Sequence, residues 1–266
     1  KQGELTEDAW DLKYSSDSNA ILNKIEKLGE KIGNFLHVGC GVLTNRDYVT
    51  AGNIRRLTQS EIEHYGIKLG DGIFVLSEEE YHSLSLSSKE KRLIKPWYKN
   101  SEVLRYIPDT YDERKFLIYL RNKDNLDEYS TIKAHLIKFK GILDYQLLGY
   151  GETNKWYAVT RASEASVLKK EKIFTPYRAM ENTFAYSNVD FFSSKDLYYI
   201  TYQEEPPNIS ESLKYINGVL NSSTIEFWCS HKLKQKGNMR EYYATPLKNI
   251  PIHRINFDDT EKIKMH

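Results

Sequence analysis

Apolar residues recur along the chain in two periods, one of three to four residues and one of two, and the switches between them outline the elements. Ile21, Ile25, Leu28 and Ile32 share one face of residues 18–32, and Gly33 follows, which predicts an amphipathic helix with a glycine stop. Residues 35–43 are apolar but broken by glycine, as in a strand with a tight loop. Gly70-Asp71-Gly72 predicts a turn into a strand over 73–76, and Ser77 followed by Glu78, Glu79 and Glu80 predicts a short capped helix. Residues 94–98 predict a strand, which Pro96 places at an edge or in a turn; 116–120 predict a buried strand. Ile132, Leu136, Phe139 and Leu143 predict one amphipathic helix over 131–143. After Gly149 and Gly151, KWYAVTR (155–161) alternates like a strand and KIFTPYR (172–178) predicts a second. Short strands continue at 184–186, 189–192 and 197–202, separated by Asn and Ser turns.

The densest pattern is LKYINGVLNSSTIEFWCSHKLKQKGNMREYYATPLKNIPI, residues 213–252. Leu213, Ile216 and Leu220 give one buried helical face, within a helical region spanning 209–231. Ser223 with Glu226 three residues later fits a capping box that restarts the helix, and Ile225, Phe227 and Trp228 supply its apolar surface. From Lys232 to Arg240 the character changes: Lys232, Lys234, Lys236 and Arg240 occur with no acid, around a Gly237-Asn238 turn signal. An apolar helix that anchors such a loop holds cations in a fixed place; a solvated surface loop has the same composition. Short strands at turn-rich spacing, interrupted by three amphipathic helical patterns, predict an α+β fold with a mixed, mostly antiparallel curved sheet packed with helices. The expected boundaries are a polar lead-in or linker at 1–17, one domain at 18–255 and a tail at 256–266.

With 266 residues the chain has enough length to bury a substantial core. Charged residues make up 28% at net charge +1, so no global basic field announces a nucleic-acid partner and local patches must carry any such claim. Tyrosine is frequent, at 20 residues, and serves wet interfaces as well as cores. Cys40 and Cys229 show neither a disulfide framework nor metal spacing, which predicts a reduced, cytoplasmic protein; no apolar run approaches a membrane span. The chain starts at Lys1 without methionine, so a fragment of a longer polypeptide is expected.

Known catalytic patterns are missing. Gly39-Cys40-Gly41 lacks a third glycine and a following helix, so it is not a nucleotide loop. Pro206-Pro207 stands between Glu205 and Asn208 and reads as a linker, not the Asn-Pro-Pro-aromatic loop of an amino-methyltransferase. Asp109 and Glu113 imitate a nuclease pair, but they are four residues apart within a polar turn. Neither a zinc-spaced Cys/His cluster nor a nucleophilic-serine motif is present. The segment IKPWYKNSEVLRY (94–106) interleaves Lys95, Lys99 and Arg105 with Trp97, Tyr98 and Tyr106, a pattern that suits nucleic-acid contact and equally a half-exposed strand.

Several segments, taken in order, resemble one family. ILNKIEKLGEKIGNF resembles its first helix, and VGCGVLTNRDYV its Gly-Ile/Val-x-Thr loop, with Asn45 where a second glycine often stands. IKPWYKNSEVLRY resembles its Lys-Pro-aromatic segment, KWYAVTR its Trp-aromatic strand, and KIFTPYRAMENTFAYSNVDFFSSKDLYYIT the sheet that follows. NGVLNSSTIEFW, KQKGNMREYY and PLKNIPI complete it. Over residues 18–252 the chain is similar to the TaqI-like C-terminal specificity domain, the target-recognition part of adenine-specific DNA methyltransferases and fused type II restriction–modification enzymes. That resemblance implies a double-stranded DNA recognition module placed against an upstream methyltransferase domain, which flips the target adenine. It implies no cofactor in this chain, and S-adenosylmethionine, with magnesium where a nuclease is present, in the parent enzyme. The expected DNA contacts are Arg161, Arg178, Lys232, Lys234, Lys236 and Arg240, then Lys95, Lys99 and Arg105, with no catalytic or metal-binding residue. Two alternatives stand beside this: a separate specificity subunit, which needs two long dimerising helices that are not visible, and a protein-interaction domain of a phage-defence assembly.

Overall fold

The computed structural model of the chain describes residues 16–98, 103–106, 114–147, 155–160, 171–204, 207 and 209–257. Helix α1 (Ser16–Leu28) leads into β1 (Glu30–Lys31) and β2 (Leu36–Cys40). Next come α2 (Gln59–Tyr65), β3 (Val75–Leu76), α3 (Glu78–Ser83), α4 (Ser88–Lys91), β4 (Ile94–Tyr98) and β5 (Lys115–Ile118). The middle holds α5 (Ser130–Ile137), α6 (Lys140–Leu147), β6 (Lys172–Pro176), β7 (Arg178–Ala179), β8 (Ala185–Ser187), β9 (Phe192–Ser193) and β10 (Leu197–Tyr202). The last part is α7 (Leu213–Leu220), α8 (Ser223–Lys232), β11 (Gln235–Lys236), β12 (Met239–Glu241), α9 (Ala244–Lys248) and β13 (Pro251–Ile252). The fold is α+β, and its ladders are antiparallel apart from the β4–β9 pair.

The four-stranded sheet β2-β10-β6-β8 divides two apolar cores. Successive strand residues point to opposite faces, and here both faces are apolar. Phe174 of β6, with Leu197 and Tyr199 of β10, joins the core built on the second four-stranded sheet, β3-β5-β4-β9, and on α5 and α6. Ile173 of β6, Ile200 of β10 and Leu36 and Val38 of β2 join the other core, filled by Leu22 of α1, Leu213, Ile216 and Leu220 of α7, and Ile225 and Trp228 of α8. Gly41 lets β2 close on this arrangement, because a Cβ there would collide with the Ser193 and Ser194 carbonyl oxygens. The Gly39-Cys40-Gly41 signal is therefore one of packing.

Local chemistry sets the helix starts. Thr58, Ser77 and Ser87 each form a complete capping box with the glutamate three residues on. Glu90, 2% exposed, also accepts from the Thr131 and Ile132 N–H groups at 2.7 and 3.0 Å and so caps α5 from another element. Burial works to raise its pKa, but these donors and Ser87 outweigh it and hold the carboxyl below the usual carboxylate range.

Several elements differ from the periodicity. α1 ends at Leu28, and the chain enters β1 to pair with β13, so Ile32 is buried outside the helix while Ile21 and Leu28 are exposed. The 131–143 pattern is two helices; a Phe139 N–H to Leu136 carbonyl turn of 3.0 Å separates them, yet Ile132, Leu136, Phe139 and Leu143 are all buried. Residues 155–160 form turns, with Ala158 and Val159 buried side by side and a Val159 N–H to Leu120 carbonyl bond of 2.8 Å. The 189–192 strand is reduced to Phe192–Ser193, and Val189 is 64% exposed. β4 is an inner strand, but β9 pairs only Trp97 and Tyr98, so Pro96 meets no strand on that side that needs its missing N–H. The α8 N-cap is Ser222, whose hydroxyl accepts from the Ile225 N–H, one residue before the expected cap.

One cation is sealed in this scaffold. Lys172 is fully buried, its Nζ donating to the Val189 carbonyl at 2.9 Å and lying 4.6 Å from the Phe191 ring centre. Burial pulls its pKa down to about 8, against the pull of Asp190. A buried amine with a depressed pKa costs stability while it is charged, below its folded pKa, and that cost is relieved between the folded and unfolded values. Relative to Lys172→Met, the wild-type chain should therefore gain about 2 kcal/mol of stability from about pH 7 to about pH 10. Denaturant melts of both proteins across that range check it; a constant difference would contradict it.

Candidate nucleic-acid interface

The basic stretch after α8 is a β-hairpin. Gln235 pairs with Arg240 and Lys236 with Met239, leaving Gly237-Asn238 as a two-residue turn. Gly237 has φ 63°, and a glycine at the first central position suits a II′ turn, whose twist matches that of a hairpin. β12 then pairs with β7, Arg240 opposite Ala179 and Glu241 opposite Arg178, which makes a three-stranded ribbon.

Strand alternation divides the cations between the ribbon's two faces. Arg240 points to α8, where its guanidinium pairs with Glu226, and the two side chains are 14% and 29% exposed. Burial works to lower its pKa, but Glu226 and Tyr242 outweigh this and hold the guanidinium above its ordinary value. The other Glu226 oxygen accepts from the Asn182 N–H at 2.7 Å. On the opposite face, Arg178 donates to Glu241 at 2.9 Å and to the Tyr243 hydroxyl at 3.1 Å. The Glu241 N–H bonds the Lys234 carbonyl at 2.9 Å, and Lys236 lies directly across from the exposed Met239. Lys234 and Lys236 are exposed and have no acid partner among the described residues.

The remaining sequence-predicted cations fare differently. Lys232 is turned away to α1, 3.1 Å from Glu26, whose same oxygen accepts from the Trp228 indole at 3.0 Å. Arg105 is engaged with Glu181 at 2.9 Å and the Asn182 carbonyl at 3.0 Å. The Lys95 amine donates to the Arg92 carbonyl at 2.6 Å. Arg161 and Lys99 lie outside the described residues, as do Asp109 and Glu113. Lys232, Lys234, Lys236 and Arg240 thus do not share one surface: of these four, Lys234 and Lys236 have no acid partner among the described residues and lie near Arg178, and Arg240 supports the ribbon from the other face.

Asparagines that sequence reasoning did not single out fasten the ribbon's base. The Asn221 side chain accepts from the Phe184 N–H at 3.1 Å and donates to the Phe184 carbonyl at 2.8 Å, as a neighbouring strand would. Asn182 donates to the Leu220 carbonyl at 2.7 Å and accepts from the buried Tyr242 hydroxyl at 2.9 Å. Asn217 reaches the Tyr106 carbonyl at 3.2 Å, where Tyr106 sits at φ 76°, and the Tyr106 N–H to Phe184 carbonyl bond of 2.7 Å helps hold that left-handed conformation. The only signal for this network was the asparagine-rich helix junction itself. Cys229 is buried beneath it, and burial pushes its thiol up to about 12. Among the described residues no group of three or more His, Cys, Asp or Glu could hold a metal ion, and no helix is long and apolar enough to cross a membrane.

A basic ribbon anchored on a two-core scaffold is the geometry of a module that presents a surface, and the comparisons with known proteins agree. The chain belongs to the TaqI-like C-terminal specificity domain family, which it matches over residues 95–252. It is similar to the type II methyltransferases M.HindII and M.HincII of Haemophilus influenzae, each 29% identical over 206 residues and 74% of this chain. That stretch is 38% of the length of M.HindII and 39% of M.HincII, so the chain spans well under half of either relative. Its fold resembles part of the Type IIL restriction–modification enzyme MmeI, solved in complex with DNA, at a TM-score of 0.51 and 12% identity, over 83% of this chain and 25% of that one.

The two classes of cation should separate in stability. Arg240→Ala leaves Glu226 partly buried without its guanidinium and should cost about 2 kcal/mol, below the range for fully buried pairs because both groups are partly exposed. Lys234→Ala and Lys236→Ala should each stay within about 0.5 kcal/mol of wild type. Urea melts decide, and equal losses at all three positions would contradict this division.

Proposed function

We propose that the chain is the double-stranded DNA recognition domain of a restriction–modification adenine-N6 DNA methyltransferase. In this reading it presents the target site to an upstream catalytic domain, which binds S-adenosylmethionine and flips the adenine. The observation that carries it is the β11–β12 ribbon: two lysines with no acid partner among the described residues lead into its turn, and the Arg240–Glu226 and Arg178–Glu241 pairs brace the ribbon on its two faces. A two-stranded ribbon fits the major groove. Family membership and the fold shared with a DNA-bound restriction–modification enzyme support the same reading.

Within it Lys234 and Lys236 contact phosphates, since an ammonium on a flexible stem is a point charge with little directional preference. Arg178 and Arg240 set the ribbon's position, and any base contact by Arg178 must share its guanidinium with Glu241. Lys95, Lys99, Arg105, Arg161 and Lys232 are the candidates for outer phosphate contacts, the three described ones already holding protein partners. The catalytic step belongs to the upstream domain, because the chain contains no Asn-Pro-Pro-aromatic loop.

Measured in the full-length enzyme, Lys234→Ala/Lys236→Ala should weaken binding to all duplex sequences alike. It should also flatten the log–log salt dependence by about one unit for each phosphate that is no longer neutralised. Unchanged affinity and slope would make the ribbon a plain solvated surface. This chain alone, incubated with duplex DNA, S-adenosylmethionine and magnesium, should show neither methyl incorporation nor cleavage; either product would refute the assignment of catalysis to another domain.

A further inference from the structure

A cleft of about 700 Å³ opens between the 43–56 loop and α6. Its charged lining is Arg46, Arg56, Lys195 and a single acid, Asp47. Arg105, Arg178, Lys232, Arg240 and Arg254 all have carboxylate partners. The three cations of the cleft have none among the described residues. Asp47 is itself engaged, accepting from the Thr44 hydroxyl. Three cations against one acid leave the cleft with a net positive charge, and their repulsion is offset when an anion enters.

The cleft is built rather than incidental. Asn45, 3% exposed, ties the loop to the Leu143 carbonyl at 3.1 Å and the Trp156 carbonyl at 3.3 Å. Asn53 closes the loop on itself, donating to the Tyr48 carbonyl at 2.9 Å and accepting from the Thr50 N–H at 2.8 Å. The Arg56 guanidinium lies over Tyr145, its carbon 3.4 Å from the ring centre. Stacking fixes the plane of a guanidinium and leaves its N–H edge for an oxyanion, the geometry that suits arginine to phosphate. Thr44, Thr50 and Asn53 add polar groups to the same lining.

We propose that this cleft is a phosphate-binding site separate from the ribbon, and that the phosphate it takes belongs to the backbone of the DNA the domain recognises. The proposal rests on the DNA-recognition reading given above. A free phosphate would occupy a small part of the space, whereas a phosphodiester with its flanking sugars would use more of it. The site lies outside the stretch matched to the family, apart from its contributions from α6 and Lys195.

The test uses the full-length protein that carries this chain and a random-sequence duplex, because the phosphate contribution is independent of sequence. Four forms are compared across a salt series: wild type, Arg46→Ala/Arg56→Ala/Lys195→Ala, Arg46→Lys/Arg56→Lys, and Lys234→Ala/Lys236→Ala. The triple alanine variant should lose about two to three units of log–log slope and at least about 10-fold in affinity at moderate salt, while the charge-keeping variant holds the wild-type slope. A matching thermal melt for the charge-keeping variant shows that the loop still folds. A triple variant with the wild-type slope, beside a ribbon variant with a reduced one, overturns the cleft proposal and leaves DNA recognition standing. Wild type without salt-dependent binding overturns both. Inorganic phosphate observed by phosphorus NMR is the remaining arm: binding that the triple variant abolishes, with no change in DNA slope, makes the cleft a free-anion site and overturns its assignment to the backbone.

Discussion

Both faces of the β2-β10-β6-β8 sheet are buried, and the rest of the molecule is arranged to meet that constraint. A strand with apolar side chains on both faces needs cover on both, as parallel sheets do in α/β folds. Here the sheet is antiparallel, and the cover comes from a second sheet with α5 and α6 on one side, and from α1, α7 and α8 on the other. A slip of one residue in β10 would exchange Leu197 and Tyr199 for Tyr198 and Ile200 between two differently shaped cores, so packing specifies the register twice over. The ends of α7 and α8 inherit that precision, and with them the point where the basic ribbon leaves the scaffold.

Charge is used in two distinct ways on this framework. Paired arginines act as struts. Arg254, for example, donates to Glu211 at 2.7 and 2.9 Å and to Glu30 at 2.8 Å, tying the chain after β13 back to β1. Arg178 and Arg240 do the same for the ribbon from its two faces. Such partly buried pairs add little net stability over an apolar alternative, but removal of one partner is costly, so they specify geometry. Lys234 and Lys236 at the hairpin, and Arg46, Arg56 and Lys195 at the cleft, have no acid partner among the described residues, so an outside anion can reach them. On a chain of net charge +1 this division separates cations that fix geometry from cations left open to solvent.

The asparagines of the α7–α8 junction show how a recognition module combines a firm base with an adaptable tip. Asn221, Asn217 and Asn182 satisfy buried backbone groups around residue 184, so the segment that feeds the ribbon's central support is held without requiring a further strand. The hairpin beyond depends on only a few bonds and a glycine turn. Changes at Lys234, Lys236 or Met239 alter what the tip presents while the base stays in place, because those side chains belong to neither core.

Local pattern and chemistry determined the α+β class, the buried residues of α5, α6 and α7, the capped start of α3, the glycine turn of the hairpin, the α7 helix and the family, but not the face of α1, where Leu22 is buried and Ile21 and Leu28 are exposed. Each depends on periodicity, caps or a short motif, which act within a few residues and are written there in full. The break at Phe139, the turns in place of a strand at 155–160 and the end of α1 at Leu28 were decided by tertiary contacts: cores accept a buried Ala158-Val159 pair or a turned helix when partners from distant segments make up the hydrogen bonds. The site divides in the same way. That residues 232–240 are basic was legible, but which cations are free was not. Lys232, Arg178 and Arg240 are neutralised by Glu26, Glu241 and Glu226, and of these only Glu226 and Glu241 lie close in sequence to the loop. Arg46, Arg56 and Lys195 meet across 149 residues of chain (195 minus 46) for the same reason. Sequence specifies how many charges there are, whereas their pairing is set by which segments the two cores bring within a few ångströms of each other.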